Sequence, residues 1–458
     1  MKELLDLDIY DVDGKLITTR NERPVEAFST MGCRTVNGYD VNFMDEYKRN
    51  IDAVIDDRLD DVSDDMVSGI QKDGRGNIAP ITVILPTLAM EARENVRNEL
   101  RSKLTPEQLA IIDKMVENDK KLREQYPGPM PCNTASLVKR TELSDDERRL
   151  VDAFKVLLEK HIRMCKDELL ERFAHIASQS PKSARFMYEN HTMAGYHEEE
   201  GIRSALKHGT IVIGQLGLAE ALQILIGCDQ CEERGMKVAK EIEQMYNDLT
   251  AEFKKEYKMN FGVYYTPAES LCHTAFKKWK DKYGDIENVT YYIDENGIRQ
   301  ERDYFTNSVH VPVYKHLTPF EKIDIESQLT GYSNAGCITY VEVDGAVIHN
   351  LEALEEIVDY AMDHDIPYFA VNLNNAGDMC EDCGYQGYIP GVCPKCGSPK
   401  VSRLRRVTGY LTGNYKPTYD ENGKVIIAGA FNDGKVSETD QRVIHKKTID
   451  LSKNYFDN

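Results

Sequence analysis

Four cysteines near the C-terminus have the spacing of a metal site: Cys380, Cys383, Cys393 and Cys396. Each C-x-x-C pair turns two thiolates toward one point, so two pairs separated by nine residues can hold a tetrahedral zinc ion. Four sulfur ligands leave no open position for a substrate, which predicts a structural zinc ribbon. The alternative is four free thiols that share the spacing. The glycines and proline beside the pairs favour the ribbon, because they suit its turns.

The segment that follows, Arg406-Val407-Thr408-Gly409-Tyr410-Leu411, places one glycine among residues that favour strands. On spacing alone, this glycine predicts a β-bulge or a close backbone approach. A zinc ribbon that leads into R-V-T-G-Y-L nevertheless resembles the C-terminus of anaerobic (class III) ribonucleoside-triphosphate reductases, which are glycyl radical enzymes. Glycine suits a Cα radical, because the radical centre is planar and a Cβ would crowd it.

Other blocks extend this resemblance, in the family's order, from about residue 30 to about residue 445. They are Met31-Gly32-Cys33-Arg34, the G-R-G-N block at 74–77 with its apolar run to 86, and the blocks at 209–220, 265–270, 304–313, 334–336 and 431–435. Each block alone is weak. Their collinearity with the zinc and glycine motifs is what identifies the family.

The resemblance implies a radical mechanism. Gly409 would store the radical and pass it to Cys33, whose sulfur would take a hydrogen from the substrate ribose. Transfer needs near contact, so we expect the Gly409 Cα within about 6 Å of the Cys33 sulfur. Asn77 aligns with the asparagine that serves formate-dependent members, which makes formate the expected co-substrate. From the residues alone, Cys33 could be a small buried hydrophobe and Asn77 a turn residue before a strand.

The T-P-A-E-S block suits a helix start, with Thr266 as the cap and a proline in the first turn. Free amides there would bind substrate phosphates, so Thr266, Ala268, Glu269 and Ser270 are the expected substrate-binding residues. An ordinary helix cap is the alternative. The family further implies a ribonucleoside triphosphate substrate, a radical S-adenosylmethionine iron–sulfur activating enzyme as a partner, and a homo-oligomer.

Strand and helix patterns alternate, so the expected fold class is α/β. The apolar run at 78–85 predicts a buried strand, and helical periodicity dominates 88–178. Strand, helical and strand patterns at 337–343, 351–361 and 367–372 predict a parallel β-α-β unit. The resemblance implies more than this pattern: a ten-stranded barrel of two half-barrels around a central cysteine loop, with a C-terminal zinc ribbon.

These patterns divide the chain into four parts. We expect an N-terminal segment with the cysteine loop at 1–35, a catalytic half-barrel at 36–375, the zinc ribbon at 376–400, and the radical loop with its tail at 401–458. The half-barrel would contain the helical insertion at about 88–178. Near the N-terminus, Asp13-Gly14 between two short strand patterns predicts a hairpin.

Family members carry several hundred residues before the M-G-C-R loop, whereas here 32 residues precede Cys33. We therefore expect the chain to be the C-terminal part of the enzyme, and to need a partner chain with the first half-barrel. Two other functions stay open. One is a non-catalytic zinc-ribbon fragment. The other is a formate-lyase or diol-dehydratase type of glycyl radical enzyme, which the zinc ribbon argues against.

Composition narrows the functional class. The net charge of −20 argues against binding a nucleic acid duplex, although not against nucleotides. The mean hydropathy is −0.51, and no apolar run approaches the roughly 18 residues of a membrane span. Eleven cysteines without an export signal predict that the protein works in the reducing cytoplasm.

Cys228 and Cys231 form a second C-x-x-C pair, which we interpret as incidental rather than redox-active. Cys337 replaces an expected histidine.

Overall fold

The computed structural model describes residues 9–10, 16–18, 76–125, 141–190, 192–193, 195–364, 366–374, 377–387, 389, 391–407 and 411–445. The expected cysteine loop with Cys33, and Gly409 itself, lie outside these residues.

Within that part of the chain, strands and helices alternate, as the sequence predicts. The strands are β1 (Ile9–Tyr10), β2 (Leu16–Thr18), β3 (Asn77–Ile84), β4 (Thr210–Leu216), β5 (Asn260–Tyr264), β6 (Tyr291–Ile293), β7 (Arg299–Glu301), β8 (Thr339–Asp344), β9 (Phe369–Asn374), β10 (Asp378–Cys380), β11 (Val401–Arg406), β12 (Leu411–Gly413), β13 (Thr418–Tyr419) and β14 (Val425–Ile427).

The helices are α1 (Leu85–Arg101), α2 (Pro106–Gln125), α3 (Asp145–Ala177), α4 (Arg185–Glu189), α5 (Arg203–Leu206), α6 (Leu218–Ile226), α7 (Glu233–Tyr257), α8 (Leu271–Tyr283), α9 (Pro319–Thr330), α10 (Leu351–Met362) and α11 (Asp433–Asp440). Short 3-10 turns lie at Pro181–Ala184, Glu198–Glu200 and Gly345–His349. None of the described helices combines the length and apolar character needed to cross a membrane.

Two parallel sheets form the frame of the fold. β3, β4 and β5 pair in that order, and β8 pairs with β9. Backbone hydrogen bonds join the end of the first sheet to the segment that leads into β8: Ala335 N donates to Val263 O and Tyr265 N donates to Gly336 O, each at 3.0 Å. The predicted parallel β8-α10-β9 unit is confirmed. The ten-stranded barrel is not confirmed, because the parallel strands described here make one three-stranded and one two-stranded sheet.

The main core lies between the first sheet and the helices that cover its outer face. Alternate strand residues such as Ile211, Ile213, Phe261 and Val263 pack there against α1, α3, α6 and α7. Each side chain of this size contributes about 1.5–3 kcal/mol when fully buried. Between β3 and β4 the chain supplies three long helices, in agreement with the helical periodicity of the sequence there. The helix start at Ser144 is fixed by a capping box with Glu147.

The other face of the same strands is the inner face. Val212 and Tyr264 point to it from β4 and β5, and they meet Ala335 in a separate cluster. In β8, Val341 and Val343 pack toward α10, so Tyr340 and Glu342 lie on the inner face by alternation. The inner face thus carries the buried side chains of Tyr340 and Glu342.

Candidate active site and metal centre

The four cysteines at the C-terminus come together as the spacing predicts. Their sulfurs all lie within 4.8 Å of one another, and among the described residues this is the one such cluster of potential metal ligands. Two pairs of sulfurs, Cys380 with Cys396 and Cys383 with Cys393, are 3.6 Å apart. In a tetrahedral site with Zn–S bonds of about 2.3 Å, sulfurs lie about 3.8 Å apart. The donor set and its geometry therefore fit a structural zinc ion.

The two halves of the cluster have the same backbone geometry. Gly384 N donates to Cys380 O at 2.9 Å, and Gly397 N donates to Cys393 O at 2.8 Å. Both glycines have left-handed φ values, 69° and 74°, which side chains with a Cβ rarely adopt. Each turn aims two sulfurs at one point. Around them Ile389 and Val401 are fully buried, so the centre sits on a small core of its own.

A three-stranded antiparallel sheet connects this centre to the segment that carries Gly409. β10 ends at Cys380 and pairs with β11, and β11 pairs with β12. The pairing of Arg406 with Leu411 leaves four residues, 407–410, to connect the two strands. Asp378 of β10 stabilises this sheet: it pairs with Arg405 of β11 at 2.6 Å, and it accepts a hydrogen bond from the Ile389 amide at 3.0 Å. The centre and the two strands that flank residues 407–410 thus belong to one sheet.

The segment 431–435 forms the start of α11, and its residues have separate roles. The Asn432 side chain accepts the Lys435 amide at 2.9 Å and caps the helix. A Cβ on Gly434 would lie 2.4 Å from Asp303 O, so this position requires glycine. Lys435 is fully buried and pairs with Glu438 at 3.1 Å. This segment fixes α11 against the body of the protein.

The inner face carries the predicted residue Asn77 at the start of β3. Its Nδ2 donates to Ala335 O at 3.2 Å, across the junction of the two parallel sheets. Two glycines allow close packing at this face: a Cβ on Gly262 would lie 2.7 Å from the Ala335 Cβ, and one on Gly214 would lie 2.1 Å from Thr266 Oγ1. Asn77 therefore lies beside a face at which two positions require glycine.

The predicted substrate residues lie at the end of β5, but they do not begin a helix. The helix start at Thr266 is wrong: α8 begins at Leu271, after Ser270, whose side chain makes no cap hydrogen bond. Thr266 Oγ1 instead shares a 2.9 Å hydrogen bond with Thr82 Oγ1. The buried Ala268 accepts Asn307 Nδ2 at 3.1 Å, and Glu269 O accepts the Cys272 thiol at 3.0 Å. The block is thus a loop held by tertiary contacts.

A pocket joins the inner face to the zinc sheet. It encloses about 260 Å³, and its lining includes Glu342, Asn372, Leu404, Arg406, Leu411 and Arg442. Asn372 Nδ2 donates to Glu342 Oε1 at 2.7 Å. Burial raises the pKa of Glu342, and Arg442 opposes that effect. Sequence reasoning missed Glu342 and Arg442, since the only signal was a Glu-x-x-x-Arg spacing at 438–442 that also occurs on exposed helices.

Three other described cysteines, Cys228, Cys231 and Cys337, lie outside the four-cysteine cluster. Cys337 is buried, with its sulfur 3.9 Å from Thr330 O. Cys228 is buried and Cys231 is half-buried, and neither belongs to the potential metal cluster of the described residues. Burial raises the pKa of the Cys228 thiol, which disfavours the reactive thiolate. These positions fit a packing role.

Comparison with known proteins decides the family. The family profile described as anaerobic ribonucleoside-triphosphate reductase matches residues 11–445. The chain belongs to this family. Its curated relatives include the anaerobic ribonucleoside-triphosphate reductase of Haemophilus influenzae, 29% identical over 317 residues that cover 65% of this chain and 40% of the relative. The enzyme of phage T4 is 29% identical over 312 residues, covering 66% of this chain and 45% of that protein.

This chain therefore spans less than half the length of the curated reductases that it matches. Among solved structures, the anaerobic ribonucleotide reductase from Thermotoga maritima with glycerol in its active site is similar at a TM-score of 0.45 and 17% identity. That alignment covers 74% of this chain and 42% of the other.

Proposed function

We propose that this chain carries the radical-bearing portion of an anaerobic ribonucleoside-triphosphate reductase, and that it reduces ribonucleoside triphosphates to deoxyribonucleoside triphosphates. Membership of the family supports the reaction class. One structural observation carries the proposal: the sheet that leads to Gly409 meets the inner face of the parallel sheets at the pocket between Arg406, Leu411 and Glu342. A radical stored at Gly409 would therefore lie beside the face that carries Asn77.

The proposed chemistry moves one hydrogen atom at a time. The Gly409 radical takes the hydrogen of the Cys33 thiol, which restores glycine and leaves a thiyl radical. That sulfur then takes the 3′-hydrogen of the ribose, which makes the bond from C2′ to its hydroxyl labile. The protonated 2′-hydroxyl leaves as water, formate supplies the two reducing electrons and leaves as carbon dioxide, and Cys33 returns the hydrogen to C3′, which regenerates its thiyl radical. Asn77 holds formate and the hydroxyl through its carboxamide. A separate radical S-adenosylmethionine iron–sulfur enzyme installs the radical on Gly409.

In this proposal the substrate phosphates bind at the loop after β5, where Thr266, Ala268, Glu269 and Ser270 precede α8. Because α8 begins at Leu271 rather than at Thr266, the four residues are assigned two different roles. Ser270 is exposed and directly precedes the first turn of α8, so amides at that turn can meet an anion. Thr266 and Ala268 shape the loop instead, because their polar atoms already make hydrogen bonds within the protein. Zinc, when bound, would crosslink the ribbon and take no part in the reaction.

We further propose that a chain with the first half-barrel completes the site, and that the active assembly contains more than one copy of each part. The parallel sheets support this, because among the described strands β3 pairs along one edge only, with β4. Its residues are mostly half-buried, and an unpaired edge of this kind can accept another strand. A chain that is monomeric, unfolds cooperatively and binds no hydrophobic dye would contradict this part of the proposal.

The experiment that tests the function compares three variants in the complemented, anaerobically activated protein. Cys33→Ser should keep the glycyl radical but make no deoxynucleotide. Gly409→Ala should lose both. Gly413→Ala is the matched control in the same sheet, since a Cβ there meets nothing within 4 Å, and it should retain both. Deoxynucleotide formation by the Cys33→Ser variant would refute the mechanism. A chain that binds its partner and zinc but never reduces nucleotides would support the non-catalytic fragment instead.

A further inference from the structure

Arg442 makes an unusual set of contacts just beyond the end of α11. Its Nη1 donates to Arg406 O and its Nη2 donates to Val407 O, both at 2.7 Å. These carbonyls lie three and two residues before Gly409. The planar guanidinium thus holds two successive carbonyls of the strand end that leads into the glycine segment. The Arg442 side chain is 4% exposed, so water does not compete for these hydrogen bonds.

Two carboxylates hold the guanidinium in place. Glu438 accepts from Arg442 Nε at 3.3 Å and from Nη2 at 3.1 Å. Glu342 of β8 accepts from Nη1 at 3.2 Å. Burial alone would lower the pKa of Arg442, but Glu438, Tyr340 and Glu342 outweigh it and raise that pKa. The cation is therefore permanent, and all of its N–H groups have acceptors.

The backbone around Arg442 is itself fixed to the body of the protein. Gln441 accepts the Tyr304 hydroxyl at 2.7 Å and donates to Glu301 O at 2.8 Å. Val443 N donates to Val313 O at 3.0 Å, and His445 N donates to Glu342 O at 2.7 Å. The backbone on both sides of Arg442 is therefore held in place. From there the guanidinium reaches the end of β11, which lies more than 30 residues earlier in the chain.

We propose that Arg442 is a positioning residue that holds the backbone leading to Gly409 at a set distance from the inner face. This inference rests on the proposed function, because it assigns Arg442 to the radical site. Hydrogen transfer between a carbon and a sulfur depends steeply on their separation, and a misplacement of about 1 Å can cost about a hundredfold in rate. A forked cation that holds two carbonyls restricts the strand end more than a single point charge does.

The first test measures the clamp without any need for activity. Hydrogen exchange of the amides at 404–413 is compared in the full chain and in Arg442→Gln, Arg442→Lys and the control Arg234→Gln. Arg234 is also buried and paired, at 2.6 Å with Glu147, but it lies on α7, in the helical layer. We expect exchange to quicken roughly tenfold or more in Arg442→Gln, since hydrogen bonds to a charged group are lost.

Arg442→Lys should give an intermediate effect, because one ammonium can keep the charge but cannot serve both carbonyls. If Arg442→Gln does not fold, Arg442→Lys still tests the contacts to the two carbonyls, because it keeps a cation between Glu438 and Glu342. Zinc content should stay unchanged in every variant. Equal exchange at 404–413 in Arg442→Gln and Arg234→Gln would overturn the clamp.

The second test measures the radical after anaerobic activation of the complemented protein. The yield of glycyl radical per chain should fall at least tenfold in Arg442→Gln, recover in part in Arg442→Lys and stay normal in Arg234→Gln. Normal radical yield and normal nucleotide reduction in Arg442→Gln, despite faster exchange, would overturn positioning while leaving the proposed function intact. If the unmodified chain forms no radical, the proposed function fails, and the exchange data alone then decide the clamp.

Discussion

Ionisation of Glu243 should make this protein less stable as the pH rises from about 4.5 to about 7. Its carboxyl group is fully buried where α7 packs on the strands. Tyr265 OH donates to it at 2.9 Å, and the Gln215 amide also donates to it. Burial raises the pKa of Glu243 to about 7, and these two hydrogen bonds oppose that rise without cancelling it.

The magnitude follows from proton linkage. An unfolded glutamate titrates near its ordinary pKa of 4.5, so between that pH and about 7 the folded protein binds more protons than the unfolded chain. Its contribution to stability is therefore complete below pH 4.5 and is lost as the pH approaches 7. Since one pKa unit corresponds to about 1.4 kcal/mol, the loss amounts to about 3 kcal/mol.

Urea unfolding at several pH values, with Glu243→Gln and a control, isolates this effect. The difference in free energy of unfolding between Glu243→Gln and the unmodified chain should grow by about 3 kcal/mol from pH 4.5 to pH 7. Glu256→Gln, at an exposed position on the same helix, is the control for the loss of one carboxyl group. A difference for Glu243→Gln that stays constant with pH would refute the reasoning, because it would mean that the buried carboxyl has the same pKa in both states.

Three further substitutions test the metal centre and the two glycine contacts. Cys383→Ser should release the single zinc ion and speed hydrogen exchange at 401–413, and elemental analysis that finds zinc unchanged would contradict the assignment. Gly434→Ala should destabilise the fold by about 1–3 kcal/mol, because its Cβ would lie 2.4 Å from Asp303 O, whereas Gly413→Ala should cost little. Gly214→Ala should disturb Thr266, whose Oγ1 would lie 2.1 Å from the new Cβ, and weaken nucleotide binding without loss of zinc, as binding titrations would show.

Much of the frame follows from the sequence, because its signals are local. Strand β3 has the predicted apolar run, although its residues are mostly half-buried rather than buried, and the β8-α10-β9 unit has a helical pattern between two strand patterns. The antiparallel pairing of β1 with β2 agrees with the hairpin that the sequence predicts from Asp13-Gly14. The cysteine cluster is equally local, since two knuckles of fixed spacing build one site.

The rest depends on contacts between distant parts of the chain. Thr266 looks like a helix cap in isolation, but its hydroxyl is taken by Thr82, more than 180 residues away, and the helix begins later. Arg442 and Glu438 look like an ordinary exposed pair at helical spacing, yet both are buried against Glu342. No local pattern shows that Arg442 reaches the strand before Gly409, because that contact exists only after the two sheets have met.

The most direct test of the central claim is electron paramagnetic resonance of the activated protein made with ordinary or α-deuterated glycine. A radical on Gly409 predicts a doublet from its single α-hydrogen, which collapses to a narrower line with the deuterated amino acid and disappears in Gly409→Ala. A signal that ignores the deuterium label, or that survives in Gly409→Ala, would contradict the account.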